Sequence, residues 1–255
     1  MPVKILGVDP SDYTNEDQEA HDTATRWMRR IQELYVTERS HQKIIGISEV
    51  GSDCRKCVAR KLAEKPKDIS GGWFPFIGTA VHQALEDGFA GRDWASDYML
   101  ENRLHVFSYK SLELGGSCDM AAVSVQGSNI IVNDWKVVGE RALKEAAAGK
   151  IKQQYRIQAM LYGLGWKKKG YDVTHVSLSF LPRDKDLADA QVVMLRYDEQ
   201  VALDALAALE VMIDAAEIVG WDAVIAKQPK ASFCFDCKKY EQNENNDLES
   251  YLNRL

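Results

Sequence analysis

The stretch GSCDMAAVSVQGSNIIVNDWK, residues 116–136, constrains the fold most, because it predicts two strands joined by a turn. Residues 117–125 alternate loosely between apolar and polar side chains, and residues 129–136 are rich in Ile and Val. Between them, residues 126–129 are Gln-Gly-Ser-Asn, a cluster typical of turns. A hairpin of this kind brings the start of its first strand close to the end of its second.

Acidic residues occupy both of those positions. Asp119 lies near the start of the first strand, and Asp134 and Lys136 lie at the end of the second. Side chains two apart on a strand share a face, so Asp134 and Lys136 project together while Trp135 projects away. Two carboxylates that meet across a hairpin, with a lysine beside one of them, can hold a hard divalent cation and activate water. Taken alone, a strand ending in Asp-x-Lys is more often a solvated edge or a surface ion pair.

Length and composition limit the class of protein to which this chain can belong. A chain of 255 residues can bury one substantial core, and 45% hydrophobic with 27% charged residues is typical of a globular protein. No apolar run reaches the length of a membrane span, and the first residues lack a signal-peptide pattern, so the predicted location is the cytoplasm. The formal net charge of −6 gives no overall basic field, so binding to nucleic acid would need a local basic groove.

The five cysteines give a second constraint. Four of them form two Cys-x-x-Cys pairs, Cys54 with Cys57 and Cys234 with Cys237, and Cys118 stands apart. In a cytosolic protein such pairs indicate a metal or redox site before disulfides. One four-thiolate site would join the two ends of the chain around the core, and spacing alone favours structural zinc. A thiol-redox protein is the weaker alternative, because the pairs lack a thioredoxin-like βαβ context.

The apolar periodicity predicts a mixed α/β (α+β) core with the cysteines outside it at both ends. The predicted strands are residues 101–107, the two strands of the hairpin, and residues 174–181 and 191–196. The predicted helices cover about residues 15–37, 55–65, 78–91, 140–149, 151–169 and 198–226.

Four ordered motifs in this framework resemble the PD-(D/E)XK nuclease superfamily. They are GTAVH at residues 78–82, GSCD at 116–119, DWK at 134–136 and QAMLY at 158–162. A helix histidine, G-x-x-D, D-x-K and Q-x-x-x-Y in this order look like the RecB-type branch. The resemblance covers about residues 50–240, and the cysteine pairs bring it closer to the branch with an iron–sulfur cluster. That branch includes AddB-like helicase-nucleases, CRISPR-associated exonucleases of the Cas type and phage relatives.

The resemblance implies a metal site and a restriction-endonuclease-like core. His82, Asp119 and Asp134, with the backbone carbonyl of Trp135, would bind Mg²⁺ or Mn²⁺. Glu86, one helical turn after His82, is a weaker candidate to hold that histidine or a water molecule.

The other motif residues would act on water and phosphate. Lys136 would orient or deprotonate the attacking water and stabilise charge on the phosphate, and Gln158 and Tyr162 would line the same cleft. The resemblance therefore implies a metal-dependent DNA exonuclease acting on single strands or DNA ends, in recombination, repair or phage DNA metabolism. It also implies that the protein acts in the cytoplasm of a bacterium or of a phage-infected host cell. Its candidate partners are a second copy of the chain or a recombination protein. The alternative is a non-catalytic DNA-binding or scaffold protein of the same fold that carries an iron–sulfur or zinc site.

The resemblance also bears on the cysteines and on domain organisation. It favours a 4Fe–4S cluster on Cys54, Cys57, Cys234 and Cys237, with structural zinc as the alternative. The usual layout has one early and three late cysteines, whereas this chain has two and two. We predict one nuclease domain over residues 1–255, made of an N-terminal helical segment (1–70), a nuclease core (71–228), and a C-terminal cysteine segment with a polar tail (229–255).

Overall fold

The computed structural model describes residues 8–36, 45–65, 73–124, 127 and 129–240, which belong to two compact units. The smaller unit comprises residues 1–41 and 69–76, and its described part contains a short 3-10 helix, Pro10–Asp12, and helix α1, Asn15–Val36. The larger unit comprises residues 42–68 and 77–255 and contains the sheet and all the predicted site residues. The predicted division at residues 70 and 228 stays a prediction. None of the described helices combines the length and apolar character needed to cross a bilayer.

A five-stranded mixed sheet forms the centre of the larger unit, which confirms the predicted α+β fold class. Its strands lie in chain order, and every neighbouring pair is antiparallel except β3 and β4, which are parallel. Parallel neighbours need a crossover, and helices α5 and α6 supply it. The strands are β1 (Tyr98–Tyr109), β2 (Leu112–Val123), β3 (Ile130–Val138), β4 (Val173–Pro182) and β5 (Gln191–Arg196).

The helices match the predicted pattern with three differences, the first being the short helix α2 (Ile47–Val50), where no helix was predicted. Helix α4 (Trp73–Ala90) begins at Trp73 rather than Gly78, and Pro75 is tolerated in its first turn, where a missing N–H costs nothing. The long helix predicted over residues 198–226 is broken at Gly220, whose φ of +80° ends one helix and starts the next. The remaining helices are α3 (Arg55–Leu62), α5 (Glu140–Ala147), α6 (Gln153–Lys168), α7 (Glu199–Val219) and α8 (Trp221–Lys227), with short 3-10 helices at Ala95–Asp97 and Leu187–Asp189.

Helix α6 has the longest buried run of the described helices, since every residue from Gln158 to Trp166 is buried. Two glycines let it approach its neighbours closely. A Cβ on Gly163 would lie 2.5 Å from the ring of Tyr197, and one on Gly165 would lie 2.9 Å from Leu104. This close packing fixes the position of α6 against the sheet, and with it the predicted site residue Gln158.

Strands β2 and β3 separate where the sequence places its acidic residues. Their pairing runs from Val123 opposite Ile130 to Met120 opposite Asn133 and ends there. Beyond this point β2 continues beside β1, and β3 continues beside β4. The next residues along the two strands are Asp119 and Asp134, so both carboxylates lie at the fork where the strands part. Of the predicted turn, residues 126 and 128 lie outside the described residues.

Candidate active site

Asp119 is held at this fork by two contacts. Its Oδ2 accepts a hydrogen bond of 2.6 Å from the backbone N–H of Trp135. That N–H is available because β3 no longer pairs with β2 at this position. Its Oδ1 lies 3.3 Å from Nδ1 of His82. Asp119 is buried, and the fork therefore fixes its carboxylate with one oxygen directed at the histidine.

His82 reaches the fork from helix α4. Its ring meets the indole of Trp135 edge-on, with 5.8 Å between ring centroids. The hydrogen bond to Asp119 raises the pKa of His82, and partial burial opposes that shift. The predicted contact with Glu86 is not among the hydrogen bonds of the described residues, where Glu86 instead accepts one from Gln83 at 3.3 Å.

Glu101 is a site residue that sequence reasoning missed. The β1–β2 register puts Leu100 opposite Met120 and Asn102 opposite Cys118, so Glu101 lies opposite Asp119. Its φ of +46° is uncommon for a residue with a side chain, and such backbone strain clusters at functional sites. In the sequence Glu101 is only an acidic residue in a predicted strand. Identifying it as a candidate ligand requires the register of β1 against β2.

Three ligand groups converge as a result. One carboxylate oxygen each from Glu101 and Asp119 and one ring nitrogen of His82 all lie within 4.8 Å of one another. Burial raises the pKa of Glu101, and the negative charges of Asp119 and Glu86 raise it further. An imidazole with two crowded carboxylates is a donor set that fits a hard divalent cation.

Asp134, Lys136 and Gln158 form a second group beside the first. Gln158 donates from Nε2 to Asp134 Oδ1 at 2.9 Å and accepts from Lys136 Nζ at Oε1, also at 2.9 Å. The Lys136 ammonium closes the ring against Asp134 Oδ2 as an ion pair, without the alignment of a hydrogen bond. Burial raises the pKa of Asp134, and the charge of Lys136 opposes that shift. The three side chains lock β3 to α6.

The predicted residues are therefore divided between two adjacent groups. Among the described residues, the ligand group within 4.8 Å contains Glu101 and does not contain Asp134. Trp135 meets Asp119 through its N–H, and the ligand role of its carbonyl stays a prediction, as does that of Asp134. Tyr162 is buried behind the second group; burial raises its pKa, as does the charge of Asp134, while a hydrogen bond with Gln158 opposes the shift.

A chain of aromatic rings leads from the histidine to the surface. Trp135 touches His82 on one side, and on the other it lies 6.0 Å from Phe89 between ring centroids. Phe89 packs edge-on against Trp94 and Tyr98, at 5.0 Å and 5.2 Å. Trp135 is buried, whereas Trp94 is 46% exposed. The fork is thus connected to solvent by contacting aromatic side chains.

The two cysteine pairs meet, as the sequence predicts. Sulfur atoms of Cys54, Cys57, Cys234 and Cys237 all lie within 4.8 Å of one another. Cys54 directly precedes α3, and Cys234 directly precedes a helical stretch over residues 235–240, so each pair begins a helix. The structure therefore brings α3 and the segment after α8 together at four thiols that can hold a metal.

Cys118 takes no part in that cluster. It is fully buried, and its sulfur accepts a hydrogen bond of 3.5 Å from the indole N–H of Trp166. Burial raises the pKa of Cys118 to about 12. Cys118 is therefore a small buried residue of the core.

Comparison with known proteins gives no family for this chain. No protein-family model and no curated protein matches the chain. Similar solved structures include the protein SSO0001, with 13% identity, a TM-score of 0.45, and 74% of this chain and 87% of that one covered.

Three further structures, of two proteins, are described as exonucleases. The alkaline exonuclease LHK-Exo from Laribacter hongkongensis has 11% identity, a TM-score of 0.43, and 76% and 99% of the two chains covered. A complex of LHK-Exo with dAMP gives a TM-score of 0.44. A protein from Eubacterium rectale, assigned as an exonuclease, has 10% identity, a TM-score of 0.45, and 81% and 91% covered. Scores below 0.5 carry no inference about function, which is drawn below from the site residues.

Proposed function

We propose that this protein is a divalent-metal-dependent deoxyribonuclease of the PD-(D/E)XK type. It would hydrolyse phosphodiester bonds as an exonuclease on single-stranded DNA or DNA ends, in recombination, repair or phage DNA metabolism. One observation carries the proposal: an imidazole and two carboxylates converge where two strands part, beside a lysine held by its own partners. The D-x-K and Q-x-x-x-Y motifs supply that lysine and both of those partners, Asp134 and Gln158.

His82, Glu101 and Asp119 would hold the Mg²⁺ or Mn²⁺ ion. Carboxylate oxygens suit such hard cations, and one neutral imidazole shifts the preference toward Mn²⁺. Asp134 is a further ligand by resemblance. When bound, the cation would stabilise negative charge on the phosphate and acidify a water molecule. The Trp135 N–H keeps Asp119 in place before any metal arrives, which lowers the reorganisation needed for binding.

Lys136 would act on the water and the phosphate as a positioned cation. Its ammonium group is held by Asp134 and by Gln158 and lies 5.1 Å from the ring centroid of Tyr155. A compact ammonium fits beside a phosphate oxygen, and fixed partners reduce the cost of orienting it during reaction. Asp134 and Gln158 thus position Lys136.

The aromatic chain supports a single-stranded substrate. Bases that are not paired expose their faces, and stacking on aromatic side chains binds them without regard to sequence. The exposed ring of Trp94 is such a side chain, and the rings of Phe89 and Tyr98 pack against it. A strand whose end base stacks on Trp94 would have its backbone near the fork, because the rings contact one another up to His82.

The test is degradation of labelled single-stranded DNA by the purified protein in Mg²⁺ or Mn²⁺. We expect metal-dependent release of short products, and loss of it in Asp119→Asn and in Lys136→Ala. Glu113→Gln changes an exposed carboxylate on the same strand as Asp119 and serves as the matched control. Product lengths from 5′- and 3′-labelled strands give the polarity. Activity that survives both site variants would refute the assignment. DNA binding without cleavage would instead support the non-catalytic scaffold.

A further inference from the structure

The spacing of the four thiols distinguishes between a single zinc ion and a 4Fe–4S cluster, the two metal groups that the sequence analysis leaves open. The Cys57 sulfur lies 3.3 Å from that of Cys237 and 3.6 Å from that of Cys234. The sulfur of Cys54 lies 3.5 Å from that of Cys237. These are separations between sulfur atoms that surround a single small volume.

One tetrahedral metal ion requires nearly this spacing. Zinc–thiolate bonds of about 2.3 Å place neighbouring sulfurs about 3.8 Å apart around one ion. In a 4Fe–4S cluster each thiolate binds a different iron at a separate corner, which spreads the sulfurs to roughly 6 Å. The 4.8 Å limit that contains all four sulfur atoms leaves no room for that core.

The surroundings are those of a closed structural site. Cys54, Cys57 and Cys237 are buried and Cys234 is half-buried, so four thiolates can complete the coordination without water. The two pairs also have the same local structure, with the first cysteine just before a helix and the second in its first turn.

We infer that Cys54, Cys57, Cys234 and Cys237 hold one tetrahedral zinc ion instead of the 4Fe–4S cluster that the resemblance implies. The ion does no redox chemistry, and its role is to join α3 to the segment that follows α8. This inference does not depend on the proposed nuclease activity, and either can fail without the other.

The test is metal analysis of the wild-type chain purified without oxygen, which preserves any iron–sulfur cluster. We expect one zinc per chain released when four thiols are titrated with a mercurial reagent, no acid-labile sulfide, and no absorption band near ~400 nm. Replacing zinc with Co²⁺ should give the intense visible absorption of a tetrahedral cobalt thiolate. Cys57→Ser should lose the thiol-released zinc, and Cys118→Ala should keep it.

Two results would overturn the inference. One is about four irons per chain with matching sulfide and a brown colour. The other is a folded wild-type chain with four titratable thiols and no thiol-released metal. Because both readings come from the wild-type protein, a Cys57→Ser variant that fails to fold leaves the test intact.

Discussion

The fork between β2 and β3 and the cysteine cluster are both candidate metal sites, and they relate to the fold in opposite ways. At the fork, the sheet and α4 carry His82, Glu101 and Asp119, and Asp119 is fixed by its contacts with Trp135 and His82. At the cluster, four thiols bring α3 and the segment after α8 together, with Tyr240 buried beside them. The fold should therefore survive loss of the ion at the fork and depend on the ion at the cluster.

The largest effect should come from breaking the cluster. Cys237→Ala removes one of four thiolates, and structural zinc contributes on the order of 10 kcal/mol to folding in small zinc domains. We expect loss of thiol-released metal and a lower free energy of unfolding in urea, by several kcal/mol. Cys118→Ala is the control for removing a buried thiol. A Cys237→Ala chain as stable as wild type would show that the cluster does not hold the fold.

Asp119→Asn should separate activity from stability. The amide can still accept from the Trp135 N–H, but it removes a negative charge from the ligand group. We expect nuclease activity to fall on the order of 10³-fold while the unfolding midpoint changes little, because the packing is kept. Initial rates on single-stranded DNA and a urea denaturation curve give the two readings. A large drop in stability with activity intact would reverse the contrast between the two sites.

Glu101→Gln tests the residue that the sequence did not reveal. If Glu101 is a ligand, Mn²⁺ affinity measured by calorimetry should weaken about 10- to 100-fold. Glu113→Gln, on the neighbouring strand and well exposed, should leave Mn²⁺ affinity unchanged. Equal affinity in wild type and Glu101→Gln would remove Glu101 from the ligand set and leave Asp134 as the candidate for the second carboxylate.

Trp94→Ala should have the smallest effect. Stacking of a base on an aromatic side chain contributes about 1–3 kcal/mol, so affinity for a short single strand should weaken about tenfold. Trp94→Phe should restore most of it, and Leu187→Ala, an exposed apolar residue between β4 and β5, should change nothing. Fluorescence anisotropy without divalent metal measures binding alone. Unchanged affinity in Trp94→Ala would mean that the aromatic chain only packs α4 against the sheet.

The sequence predicted what depends on local pattern. Strand β5 has the predicted bounds, and the hairpin brings Asp119 and Asp134 to one place because turn residues and alternation fix its register. The pairing of the two Cys-x-x-Cys motifs followed from their chemistry. The fold class followed from the order of the elements.

What depends on tertiary geometry was not predictable. Glu101 is a candidate ligand only because of the β1–β2 register and its left-handed φ. Residue propensities for helix or strand reveal neither. Gly220 lies in an Ala-rich stretch whose helical pattern continues on both sides, so the pattern did not reveal that this glycine takes a φ of +80° and ends α7. Asp134 contacts Gln158, which in turn contacts Lys136, only because α6 lies beside β3. The crossover connection sets that position of α6.

The separation of the two cysteine pairs along the chain has a consequence for biosynthesis. Cys57 and Cys234 are 177 positions apart. At translation rates of about 5–20 residues per second, roughly 10 to 35 s pass between the emergence of the first pair from the ribosome and that of the second. During that interval the early thiols have no late partners and are open to oxidation. Loading of the proposed zinc ion would therefore be a late step in the maturation of this protein, and a reducing environment during synthesis would protect the early thiols until then.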